Sequence, residues 1–166
     1  MAEIWDIYDE FGEKTGRTMK RGEPQNGEYM LCVHVYLYTP EKMFLIQKRA
    51  TTKESHPGVW DVTGGAVLAG EESIHAAIRE TYEELGIKLS ESSLRLIKRI
   101  RRRRNFADIY FAEKAFALSD CILQTEEVAA VRLVDGEELL HIAREERGRE
   151  DSYMKVISQA LTELEA

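Results

Sequence analysis

Little in this 166-residue sequence marks a secreted, membrane or nucleic-acid-binding protein. It has two cysteines, Cys32 and Cys121, far apart and without the spacing of a metal-ligand pair. That excludes a disulfide framework and reads as two free thiols in a reducing compartment. No apolar run reaches the roughly 18 residues that a transmembrane helix needs. The opening Met-Ala-Glu-Ile-Trp-Asp has neither a basic stretch nor an apolar core. No secretory signal is therefore expected, and the cytoplasm is the expected location. Positive charge is also in deficit: 23 Lys and Arg face 30 Asp and Glu, a net charge of −7. This argues against nucleic acid or an anionic membrane as partner. The four histidines, His34, His56, His75 and His141, form no i,i+4 ligand pair. His34 falls in a predicted strand and reads as a satisfied sheet histidine. No repeat, low-complexity tract or long linker divides the chain, so one domain is expected over residues 1–166.

The chain alternates strand and helix signals. Strands are expected at residues 4–9, 29–38, 43–48, 59–62, from 94 towards 103, at 109–118 and at 128–134. The second and third of these form an expected hairpin across Thr39-Pro40-Glu41-Lys42. Residues 13–26, polar and carrying Gly16, Gly22 and Pro24, read as a loop. A helix over 136–144 is capped by Asp135, and a final helix by Asp151. The pattern predicts an α/β sandwich with a mixed sheet.

The densest chemistry lies at residues 65–87. A glycine loop feeds a helix that begins near Glu71 or Glu72 and ends at Gly86. Glu80, Glu83 and Glu84 sit at i, i+3 and i+4, adjacent on one face. Ile74, Ala77, Ile78, Thr81 and Leu85 form an apolar stripe on another. Three carboxylates in the last turns oppose one another and the negative end of the helix dipole. A bound cation relieves that conflict; a solvated acidic face is the alternative. Paired glycines at Gly64-Gly65 permit a close turn, and the Gly65 carbonyl is a further oxygen donor. Thr81 interrupts the stripe, and the Ala77 carbonyl one turn back is its expected partner.

Gly65, five residues, Glu71, seven residues, Arg79-Glu80, two residues, Glu83-Glu84, one residue, Gly86-Ile87: this resembles the box of the Nudix family. All seven specified Gly, Glu and Arg positions are filled. At roughly 7% usage per residue type, chance gives on the order of 1 in 10⁸ per starting position. Thr81 departs from the aliphatic residue usual there. Trp5-Asp6-Ile7-Tyr8-Asp9 and Leu45-Ile46-Gln47-Lys48-Arg49 resemble more narrowly the branch that includes isopentenyl-diphosphate isomerases. Isomerases carry a cysteine and a histidine in the segment that here reads Thr63-Gly64-Gly65-Ala66-Val67, which has neither.

The resemblance implies a Nudix-like α/β/α sandwich and an enzyme that hydrolyses a nucleoside diphosphate linked to another group. Carboxylate oxygens select hard cations, so Mg²⁺ or Mn²⁺ is the expected cofactor. Carried residue by residue, it makes Gly65, Glu80, Glu83 and Glu84 metal donors and Glu83 or Glu84 the activator of water. Arg79 orients Glu83 through an i,i+4 pair, and Glu71 has a structural place at the helix start. Glu127, or its neighbour Glu126, is a candidate base outside the box, against a solvated loop. Arg49, Arg101 and Arg103 are candidates for holding substrate phosphates, against a charged strand edge. Trp60 is core, or an aromatic platform for a base. The expected partner is a small-molecule diphosphate; homodimers are frequent in the family. The alternatives are an isopentenyl-diphosphate isomerase and a non-catalytic nucleotide-binding Nudix module.

Overall fold

A computed structural model describes residues 2–166. Nine strands and three helices run in the order β1 (Ile4–Tyr8), β2 (Lys14–Lys20), β3 (Met30–Tyr38), β4 (Phe44–Arg49), β5 (Trp60–Asp61), β6 (Thr63–Ala66), α1 (Ser73–Leu85), β7 (Leu94–Arg101), β8 (Asn105–Glu113), β9 (Val128–Val134), α2 (Gly136–His141) and α3 (Asp151–Glu165). The mixed sheet orders β5-β4-β3-β8-β7, with β6 on β3 and β9 on β4. β3 and β8 are parallel and the other pairs antiparallel.

Alternation along β3 builds both halves of the core. Leu31, Val33, Val35 and Leu37 pack under α1 against Ala76, Ala77 and Leu85. Tyr36 and Tyr38 face the other way, with Phe44, Ile46 and Ile109, under Leu139 of α2 and Tyr153 and Ile157 of α3. The expected α/β/α sandwich is present.

The strand expected at 109–118 begins earlier, as Asn105–Glu113, and two larger expectations need correction. Residues 13–26 are not all loop: β2 pairs antiparallel with β1, turning near Phe11 and Gly12. Its side chains are almost all exposed, so it has no apolar alternation to betray it. The β3–β4 hairpin is also only partly a hairpin. The two strands pair at Tyr38 and Phe44 alone and then part. Into the gap run β5, bonded to β4 at Gln47 and Lys48, and β6, bonded to β3 from Cys32 to Val35. This split in the sheet is where the candidate site residues collect.

Helix α1 ends as its sequence requires. Gly86 takes the left-handed conformation (φ 71°) and donates to the Tyr82 carbonyl. Two more terminal carbonyls, those of Leu85 and Glu84, accept from the Ile122 and Gln124 backbone N–H groups. These bonds satisfy helix-end acceptors and dock the segment before β9 onto the acidic end of α1. Thr81, fully buried, donates its hydroxyl to the Ala77 carbonyl at 2.8 Å, as expected. Asp135 caps α2 through the Glu138 N–H. The cap before α3 is Glu150, one residue earlier than expected.

Candidate active site

The split opens into a cavity of about 360 Å³ whose wall includes Gly64, Gly65, Glu80, Glu83, Glu84 and Glu127. The box glutamates therefore face a cavity rather than bulk solvent alone. Glu80 and Glu84 are buried; Glu83 is exposed at its rim.

Glu84 is held at one oxygen. Its Oε1 accepts from Gln47 Nε2 at 3.0 Å, from the Thr63 hydroxyl at 2.6 Å and from the Gly64 N–H at 3.4 Å. Its Oε2 accepts nothing among the described residues. Burial pushes the Glu84 carboxyl up, and those three donors resist the shift. Gln47 Oε1 is buried without a partner beside it.

Glu80 lies against the Gly65 backbone. A methyl group on Gly65 would stand 2.4 Å from the Glu80 carboxyl carbon, so only glycine leaves the carboxylate its place. Burial, and next the Glu84 charge, push the Glu80 carboxyl up to about 8, although Arg79 pulls it down. A buried carboxylate beside a second one, with one guanidinium to offset them, gives that result.

Arg79 serves a wider purpose than the expected pair with Glu83. That contact, at 3.3 Å, is its longest. Its Nε and NH2 clamp Glu71 at 2.8 and 3.0 Å, its NH1 reaches Glu80 at 2.8 Å, and NH2 also donates to the Ala66 carbonyl. Glu71 closes the clamp by accepting from the Leu68 N–H. Despite partial burial, the Arg79 bond holds the Glu71 carboxyl below its usual range. The guanidinium thus ties the loop before α1 to the acidic face of α1.

Glu127 reaches the cavity from the docked segment and pairs with Lys53, also in the wall. The Ala50 N–H donates to the Glu127 carbonyl, which fixes the two segments together. Arg49 is in the wall too, its Nε bonded to the Ser55 carbonyl.

The structure does not bring Arg101 and Arg103 to this cavity. Both are exposed, Arg101 at the end of β7, an edge strand, and Arg103 in the bend that follows; Arg101 donates to the Glu10 carbonyl. Their neighbours serve structure: Arg99 pairs with buried Asp108, and Arg102 with Glu150. Trp60 packs beside the core under the Arg132 guanidinium, outside the cavity wall. Both thiols are free. His34 Nδ1 is 2.7 Å from the Tyr153 hydroxyl, a satisfied histidine that lines the cavity.

Sequence reasoning singles out neither Gln47, Lys53, Asp61, Arg147 and Arg149, which line the cavity, nor Thr63, which holds Glu84. The run Arg144-Glu145-Glu146-Arg147-Gly148-Arg149 offers only a weak signal, a glycine between two arginines ahead of a helix cap.

No three His, Cys, Asp or Glu side chains among the described residues converge as a finished ligand set. Their chemistry nevertheless fits a hard divalent cation. The donors are carboxylates with one orphaned amide oxygen beside them, and Glu80 is raised by burial and then by the Glu84 charge, both of which a bound cation would offset.

Comparison with known proteins came to the same region. The family model of the NUDIX domain matches residues 28–156. An uncharacterised Nudix hydrolase of Listeria monocytogenes is 43% identical over 139 residues, 82% of each chain. An isopentenyl-diphosphate Delta-isomerase of Pectobacterium atrosepticum is 34% identical over 83 residues, 49% of this chain and 46% of its own. The crystal structure of DR0079 from Deinococcus radiodurans superposes with a TM-score of 0.75 at 24% identity, covering 95% of this chain and 98% of that one. That likeness is one of fold.

Proposed function

This chain belongs to the Nudix hydrolase family, and from that premise we propose that it is a Mg²⁺- or Mn²⁺-dependent pyrophosphohydrolase of a nucleoside diphosphate linked to a second group. The observation that carries the reading is the meeting of the box glutamates with Glu127 and Lys53 in one cavity. Glu80, Glu83, Glu84 and the Gly65 carbonyl would hold the cation. When bound, it supplies charge neutralisation for the diphosphate and a lowered pKa for water.

The chain's own residues divide the remaining work. Glu84, fixed through Oε1, presents Oε2 in one direction without reorganisation. Arg79 is a positioning residue: it orders Glu80 and Glu83 while anchored to Glu71 and Ala66. Water attacks one phosphorus, the bridging P–O bond breaks, and two phosphorylated products leave. Glu127 takes the proton released from water, and Lys53, its partner, offsets the charge of the scissile group. Arg49 stands in the wall as a further phosphate donor.

The test is a panel of nucleoside diphosphate derivatives with Mg²⁺ or Mn²⁺, products identified by mass. Metal-dependent release of two phosphorylated products is expected from at least one member, with Glu84→Gln slower by about 100-fold or more while circular dichroism is unchanged. Folded protein that turns over no member, or a fully active Glu84→Gln, overturns the reading.

One observation favours an isomerase: Cys32, on β3 opposite Ala66, lines the same cavity. Burial pushes its thiol up to about 11, which leaves it poorly matched to proton exchange near neutral pH. Conversion of isopentenyl to dimethylallyl diphosphate would reverse the ranking.

A further inference from the structure

The cavity has a basic pole that hydrolysis at the glutamates does not use. Gly148, in the left-handed conformation (φ 71°), turns the chain just before α3. The arginines on either side of it reach one atom: Arg147 Nε and Arg149 NH2 donate to Asp61 Oδ2 at 2.8 and 3.1 Å. The other Asp61 oxygen accepts from the Val62 N–H. Two guanidinium charges thus share one carboxylate.

Arg149 is 6% exposed, lines the cavity and lies over the Tyr153 ring at 4.6 Å. Its Nε and NH1 are buried and donate to nothing among the described residues. A buried cation that shares its one carboxylate with a second cation and leaves two donors unpaired is costly for a fold to retain. Apart from Asp61, which Arg147 shares, the groups packed on it supply no full counter-charge. His34 is kept uncharged by burial and by Arg149 itself, Tyr153 and Tyr36 by burial, and Arg102 is itself a cation, paired with Glu150. Half-buried Arg147 also points to His56, whose proton affinity burial lowers.

The basic pole adjoins the acidic one. Asp61 precedes by two residues Thr63, whose hydroxyl holds Glu84. Two strand residues span about 7 Å. A small molecule with its diphosphate on the glutamates therefore reaches the arginine pair with its far end.

We propose that Arg147 and Arg149 form an oxyanion subsite for the group linked to the diphosphate, so that the preferred substrates carry a further terminal phosphate or carboxylate on that group. This rests on the hydrolase reading above. Asp61 is its positioning residue, holding both forks in register, and Tyr153 supports the Arg149 plane.

The experiment measures kcat and KM for three nucleoside diphosphate sugars alike except at the distal carbon: a neutral hydroxymethyl, its phosphate ester and its carboxylate. Wild type should favour at least one anionic member about tenfold or more in kcat/KM, mostly through KM. Preference for the ester alone assigns a phosphate; for the carboxylate alone, a carboxylate. Arg147→Gln, and Arg149→Met as a second variant with melting temperature checked, should erase that preference. Equal use of all three by wild type, or an equal loss for all three in the variants, overturns the subsite. If wild type turns over none of the three, the wider substrate panel decides the hydrolase reading separately, and binding decides the subsite. Metal-free protein should bind inorganic phosphate by calorimetry, about tenfold more weakly in Arg147→Gln. No phosphate binding by wild type overturns it.

Discussion

Replacing Glu80 by glutamine should flatten the pH dependence of stability in the metal-free protein. Glu80 is 9% exposed, pressed between the Gly65 backbone and Arg79, with Glu84 one turn on. Burial, then Glu84, raise its carboxyl from 4.5 to about 8. The sign follows from proton counting. Between those values the folded protein keeps a proton that the unfolded chain has released. Stability is therefore fullest below 4.5, falls as pH rises through the window and is lowest above about 8. The interval corresponds to on the order of 5 kcal/mol at most. With Arg79 and the residual exposure, roughly 2–4 kcal/mol is the expected fall. A cation at the glutamates needs them ionised, so Mg²⁺ should stabilise more strongly as pH rises through the same window. The assay is urea unfolding from about pH 5 to pH 8.5, with chelator or with saturating Mg²⁺, for wild type and Glu80→Gln. Glu84 is raised as well, by burial, and leaves a residual slope in both proteins, so the readout is the difference between them, which includes the Glu80–Glu84 coupling. The same slope in both proteins would refute the buried charge conflict. An undiminished Mg²⁺ effect in the variant would refute Glu80 as a donor.

Adjacent glycines should behave differently. In Gly64→Ala the new methyl would stand 2.1 Å from the Val33 carbonyl oxygen on the neighbouring strand, which cannot swing aside. A loss of about 2–4 kcal/mol by denaturant unfolding is expected. In Gly65→Ala the obstacle is the Glu80 side chain, which can move. Stability should change by less than about 1 kcal/mol while kcat falls at least tenfold; a stable, fully active variant would separate Gly65 from the site. Thr81→Val exchanges a buried hydroxyl, bonded to Ala77, for a methyl at a position facing the core. Because the Ala77 carbonyl keeps its helical bond, stability should stay within about 1 kcal/mol; a larger loss would show that the hydroxyl has a structural part of its own.

The sequence by itself determined α1 and its surroundings. Gly86 as terminator, the stripe through Ala77 and Leu85, the Thr81–Ala77 bond and the shared face of the three glutamates all follow from helical spacing. The partners of a helical residue lie three or four positions away, so the pattern and the contacts are the same information. The spacing from Gly65 to Gly86 also carried the family, because it joins a turn and a helix of fixed rise. Strand β2 escaped because a ribbon exposed on its surface needs no apolar alternation.

Tertiary structure decided which charges matter. Arg101 and Arg103 look like a phosphate clamp in one dimension, and an edge strand turns them away from the cavity. Arg79 had an obvious i,i+4 partner in Glu83, yet its stronger contacts are with Glu71 and Glu80. Arg147 and Arg149 meet Asp61 across 86 and 88 residues. That meeting depends on β5 filling the gap where β3 and β4 part and on where α3 begins. Strand pairing is set by the summed burial of many distant residues, so no local spacing encodes it. The acidic pole of the cavity is a helical pattern and could be read; the basic pole exists only once the sheet has closed around it.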